Sequence, residues 1–155
     1  MELIETLIDS FRIHNNINLY LLKAIADEHL EDKAGGKGRN VGEQFAHIPN
    51  VRLMWLSASA PDLMNGLVKM EKEGITKMHL AESLKASAKA IEQLLARGFA
   101  EGRVKGFKPH AAAFLGYIIS HESHHRGQIL LSLKLSGHPV DKKTQFGLWE
   151  WGSRS

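Results

Sequence analysis

Apolar positions along the chain fall into four long stretches of helical period, and nothing alternates convincingly with the period of two that marks a strand. The first predicted helix covers roughly residues 2–29, with Ile4, Leu7, Ile8, Phe11, Leu22 and Ile25 in helical register. Asn15, Asn16 and Asn18 interrupt its middle, where intrinsic propensity favours other side chains. The glycines of Asp32-Lys-Ala-Gly-Gly-Lys-Gly38 end it. A second helix starts from Asn40, which pairs with Glu43 as a capping box, and reaches about Ser57 ahead of Pro61. Pro49 lies inside it and has no N–H to give the Phe45 carbonyl, so a kink is expected there. Thr76 caps a third helix whose apolar face is Leu80, Leu84, Ala88, Ile91, Leu94 and Leu95, with Gly98 near its end. The fourth opens around Pro109, suited to a first turn, and runs about 40 Å to Ser136, before Gly137 and Pro139.

The expected fold is therefore all-α, a four-helix bundle forming one domain over residues 1–155. Beyond the fourth helix, Phe146-Gly-Leu-Trp-Glu-Trp-Gly152 carries too much aromatic surface to be left in water. This tail is expected to pack across the bundle or against a second subunit, and a homodimer is the expected assembly.

Composition narrows the chemistry. With no cysteine, disulfides, thiolate nucleophiles and cysteine-ligated zinc are excluded, so any metal must rely on histidine, carboxylate or water. The acidic start MELIETLIDSF does not resemble a signal peptide, and no apolar run approaches the ~18 residues of a membrane span. A soluble, cytoplasmic protein without a membrane partner is expected. The net charge of +3 is spread among acids, and the clusters at Lys37–Arg39 and Lys142–Lys143 fall in predicted loops. Solvated loop charge explains them better than a nucleic-acid surface.

Nine histidines stand out, and His121-Glu-Ser-His-His-Arg-Gly-Gln128 concentrates three of them. His121 and His125, four residues apart, share one helical face and can hold one divalent ion between them. On a helical wheel with His121 at zero, His125 falls near ~40° within an apolar sector, and His124 near ~−60° at its margin. Spacing alone leaves two readings open: a shared metal, or separate partners of water, carboxylate or backbone carbonyl for each buried ring. His47, on the second helix beside Val51 and Met54, supplies a third imidazole, and bundle cores are where facing helices converge on a metal. His14, His29, His79, His110 and His138 are expected to be surface or packing residues. His121-Glu122-x-x-His125 also matches the metallopeptidase pattern, but the sheet edge and downstream third ligand of such an enzyme are missing from the pattern of this chain.

Taken together, the motifs resemble the DinB-like superfamily of metal-binding four-helix bundles, which includes YfiT-like thiol transferases. The resemblance spans nearly the whole chain. It rests on Asn18-Leu-Tyr-Leu-Leu-Lys-Ala-Ile25, on Asn40-Val-Gly-Glu-Gln-Phe-Ala-His-Ile48 with Val51-Arg52 and Trp55-Leu56, on His121-x-x-x-His125-Arg-Gly-Gln128, and on Gly147-Leu-Trp149. It implies a metal held by His47, His121 and His125, usually nickel or zinc, with Asn18 approaching the pocket from the first helix. It also implies a small-molecule thiol and an electrophile as substrates, with Glu122, despite its wheel angle near ~100°, or a metal-bound hydroxide as candidate base. The alternative within the same fold is a non-catalytic metal-binding or stress-response protein. Gln128, near ~−20°, is placed to support a ligand, and Arg126, near ~140°, to form a structural ion pair or an interhelical contact. The chain departs from the family pattern at Pro49 and in the extra imidazole of His124.

Overall fold

The computed structural model describes residues 2–155. Four long helices dominate: α1 (Leu3–Lys23), α2 (Val41–Ser59), α3 (Lys77–Glu101) and α4 (Ala111–Leu135); a short α5 (Lys142–Gly147) follows. No strand occurs among the described residues, and no helix is long and apolar enough to cross a membrane.

Local chemistry accounts for most boundaries. The Asn40 side chain accepts from the Glu43 N–H at 2.8 Å, and the Glu43 carboxylate accepts from the Asn40 N–H at 3.2 Å, the predicted reciprocal cap of α2. Thr76 accepts from the His79 N–H and starts α3, which ends at Gly102, whose φ of +83° suits glycine. All six positions predicted for the α3 core face are buried. Gly98 is obligatory for packing as well, since a Cβ there would lie 2.8 Å from Cγ2 of Val104.

Three boundaries differ from expectation. The first helix stops at Lys23 instead of continuing to about residue 29, and a 3₁₀ turn occupies Asp27–Glu31. Turning there brings both Ile25 and Leu30 into the core, while Lys77 Nζ donates to the freed carbonyls of Lys23 and Ile25. Pro109 precedes α4 rather than occupying its first turn. His110 is the N-cap, its Nδ1 accepting from the Ala113 N–H, so a histidine expected to be a surface or packing residue caps α4. In α2, helical structure continues through Pro49 to Ser59.

The buried apolar residues form two clusters. One contains Ile17, Leu21, Phe45, Leu80, Ile129 and Leu133; the other contains Phe11, Leu56, Ile91, Leu94, Phe114 and Ile118. Following each helix from one cluster to the other gives its direction. α1 and α4 run one way, while α2 and α3 both run the opposite way. Two successive parallel helices force a long return, residues 60–76, along the length of the bundle. Asn50 fastens this connector to α2: its amide donates to the Met70 carbonyl at 3.0 Å and its oxygen accepts from the Met70 N–H at 2.9 Å.

Between the clusters, every long helix contributes a polar residue: His14, Asn15 and Asn18 from α1, Arg52 from α2, Ser87 from α3 and Glu122 from α4, all buried. The asparagines that weaken α1 by propensity therefore serve this layer and the tail. Asn16 donates to the Arg154 carbonyl at 2.7 Å, and Arg154 lies over the Tyr20 ring at 3.7 Å. The C-terminal segment packs back on the bundle through Leu148 and Trp151, whereas Phe146 and Trp149 remain exposed.

Candidate metal centre

His47 projects from α2 toward α4, which presents His121 and His125 one turn apart. One ring nitrogen from each of the three lies within 4.8 Å of the other two. His121 Nε2 and His125 Nε2 face each other at 3.2 Å, and the His47 ring stands 4.5 Å from His125 and 5.6 Å from His121, centroid to centroid. Two nitrogens bound tetrahedrally at about 2.0–2.1 Å from one ion are separated by about 3.3 Å, so the α4 pair already has the spacing of two ligands.

The protonation pattern agrees with that use. His125 Nδ1 sits between two amide oxygens, Gln44 Oε1 at 2.8 Å and Gln128 Oε1 at 3.2 Å. Both oxygens accept, so Nδ1 carries the proton and the lone pair is on Nε2, toward His121. Burial lowers the pKa of His125 to about 4, assisted by the neighbouring His47, His121 and His124. Burial also lowers His47 and His121, and Arg39 contributes to both by repulsion. Three neutral imidazoles at physiological pH are donors rather than cations. His121 Nδ1 is buried and has no hydrogen-bond partner, leaving this ring with unmet capacity.

The predicted supporting residues divide into two groups. Gln128 bonds His125 as the wheel suggests. Gln44, absent from the residues expected at the site, lies three residues before His47 and therefore on its face of α2. Asn18 and Glu122 belong elsewhere. Glu122 is 1% exposed and accepts from Arg52 at 2.6 and 2.8 Å, from His14 at 3.0 Å and from Asn18 at 3.2 Å. Burial alone would raise its pKa, but the Arg52 charge and the hydrogen bonds from Arg52 and His14 hold it at about 2. The Glu122 carboxylate is thus engaged by Arg52, His14 and Asn18 in the polar layer rather than by the three-histidine cluster.

His14, assigned to surface or packing, is fully buried in this layer. Burial lowers its pKa, so it is the neutral tautomer that donates from Nε2 to Glu122, while Nδ1 accepts from Arg126 at 3.4 Å. Arg126 also donates to Asn18 Oδ1 at 2.6 Å, an interhelical contact of the expected kind. His124 is exposed, and the three-nitrogen cluster does not include it.

His47 does not face a closed apolar core. Met54 on its helix face is 68% exposed, and His47, Asn50, Val51 and Met54 line an open groove of about 850 Å³. Its far wall is the 60–76 connector, which supplies Met70 and Ile75, with Arg39, Lys69 and Lys72 adding cationic groups and Glu43, Glu71 and Glu73 acidic ones. The histidine cluster is thus sheltered on the α4 side and accessible through the groove at His47.

The fold has a relative among solved structures. A crystal structure of a protein assigned to the DinB family, from Exiguobacterium sibiricum, superposes with a TM-score of 0.64 over 93% of this chain and 99% of that one, at 17% identity. Among curated proteins, none matches. The sequence profile of the DinB family matches residues 2–151, nearly the full length, and the chain belongs to that family.

Proposed function

We propose that His47, His121 and His125 hold one divalent metal ion, nickel or zinc, and that the protein uses it to transfer a small-molecule thiol to an electrophile. The observation that supports the metal reading most directly is the 3.2 Å separation of the two α4 Nε2 atoms, with a nitrogen of His47 inside the same 4.8 Å cluster. An ion held by three neutral imidazoles keeps its full charge and an open position, and supplies Lewis acidity that favours the anionic form of a coordinated group.

The chain's own residues would then divide the work. Gln44 and Gln128 fix the His125 tautomer and aim Nε2 at the centre. The groove beside His47 offers Val51, Met54, Met70 and Ile75 to apolar parts of a substrate. Arg39, close enough to depress the proton affinity of His47 and His121, favours anionic groups near the same opening.

A second reading, metal binding without turnover, is favoured by one observation: Glu122, the acid adjacent to the ligands, is committed to Arg52 and His14.

Metal content of tag-free protein tests the common premise. His47→Ala, His121→Ala and His125→Ala are each expected to lower it by one equivalent, and His124→Ala to leave it unchanged. An undiminished metal content in all three ligand variants refutes the site. Metal-dependent consumption of a thiol with an electrophile then separates the transferase from the non-catalytic reading.

A further inference from the structure

A second set of metal-ligating side chains lies outside this centre and shares no residue with it. His29 is on the 3₁₀ turn after α1, Asp32 closes that turn, and His138 follows the end of α4. The backbone of each segment is fixed independently. The Asp32 N–H donates to the His29 carbonyl at 3.1 Å, and the Asp32 carbonyl accepts from the Val41 N–H at 2.9 Å. Gly137, at φ +81°, turns the chain so that the His138 N–H donates to the Leu133 carbonyl at 2.8 Å. Ser136 Oγ donates to the Lys33 carbonyl at 3.3 Å and joins the two segments.

These turns bring the side chains together. His138 Nδ1 is 2.7 Å from Asp32 Oδ2, and the His29 and His138 rings stack 3.7 Å apart at an interplanar angle of 7°. One donor atom from each residue lies within 4.8 Å of the other two. Asp32 and His29 are partly buried and His138 is exposed, so the cluster is open on one side.

We propose that His29, Asp32 and His138 form a second divalent-cation site, taking an ion such as Zn²⁺ through two imidazole nitrogens and a carboxylate, with solvent completing the shell. Two histidines and one carboxylate suit borderline ions over Mg²⁺ or Ca²⁺, which prefer all-oxygen shells. Stacked rings direct their lone pairs along parallel lines, so ligation splays the stack by rotation about Cβ–Cγ, which exposed His138 has room to do. The site does not use the open groove, and its consequence is mechanical: the ion links the α1–α2 connection to the end of α4.

The probe is Zn²⁺ titrated into the full chain by calorimetry, with imidazole ¹⁵N spectra recorded in parallel. The His121→Ala/His125→Ala variant, which lacks the first centre, is expected to bind one equivalent, with saturable shifts of the His29 and His138 rings. Adding His138→Ala or Asp32→Asn abolishes that binding. Zn²⁺ at a hundredfold excess over the dissociation constant raises Tm by about 5–10 °C in the parent variant and not in the triple one. Absence of micromolar binding in the double variant, or binding insensitive to His138→Ala, overturns the proposal. Should the double variant fail to fold by circular dichroism, the wild-type stoichiometry decides. Two equivalents falling to one in His138→Ala support the site; an unchanged count refutes it. Loss of the first centre alone leaves one equivalent that His138→Ala removes, so the two proposals fail separately.

Discussion

Arg52→Met tests the physical account of the polar layer. The Arg52 side chain has no exposure and donates to five acceptors: Glu122 Oε2 and Oε1, Asn15 Oδ1, Ser87 Oγ and the Leu84 carbonyl. Methionine fills much of the same space but removes the charge, leaving Glu122 buried without its counterion. Breaking a buried pair from one side typically costs about 3–5 kcal/mol. Linkage gives a similar figure: holding the Glu122 carboxyl at about 2 instead of the usual 4.5 corresponds to about 3 kcal/mol of stability at neutral pH. For a chain of this length, the expected fall in Tm is roughly 6–20 °C. The assay is urea denaturation at pH 7 for wild type, Arg52→Met, Glu122→Gln and the double variant. Glutamine keeps an acceptor for His14 and Asn18 while removing the orphaned charge, so the double variant should be more stable than the sum of the single losses predicts. Because the native carboxyl is depressed, its contribution is present above pH 4.5 and lost as pH falls toward 2. Glu122→Gln should flatten that part of the acid profile. An Arg52→Met cost below about 1 kcal/mol, or strict additivity in the cycle, refutes the reasoning.

Other expectations follow from the same contacts. In metal-free protein, His125 is held at about 4, below the ordinary imidazole value, so its contribution is full above pH 6.5 and is lost as pH falls toward 4. Denaturation across that range should show a fall in stability that His125→Ala lessens. Gln44→Leu removes the 2.8 Å acceptor from His125 Nδ1 and should weaken metal binding by about 10–100-fold in a chelator competition, with the helical spectrum unchanged. Gly147→Ala drives a Cβ into the Tyr20 hydroxyl, displacing the C-terminal segment; a Tm unchanged from wild type would count against that packing.

Much of this molecule is legible in its sequence where the determining interactions are local. The capping pair Asn40 and Glu43, the Thr76 cap and the α3 core face depend on residues within a few turns of each other. So does the convergence of His121 and His125, since spacing on one helix sets it directly. Features set by distant partners are not legible in the same way. The wheel gives Glu122 an angle but cannot supply Arg52 from α2 or His14 from α1, so a charged residue in a catalytic-looking motif is in fact part of the core. Val51 and Met54 look like core neighbours of His47, yet the connector stands off that face and leaves a groove. His29 and His138 are 109 positions apart, and their stack depends on two turns neither of which signals the other.

The parallel course of α2 and α3 has a consequence for how the mouth of the groove can vary. A chain that must return about 28 Å between two parallel helices spends its connector on the way back. Here part of that return, from Lys69 to Ile75, is draped beside His47 and fastened through Asn50 and Met70. The wall of the groove is thereby a by-product of topology, built from residues that neither ligate nor carry the polar layer. Insertions or exchanges in this strap can reshape the entrance while the scaffold and its histidines stay put. Grafting connectors between homologues is accordingly a route to a differently shaped groove that leaves the helices untouched.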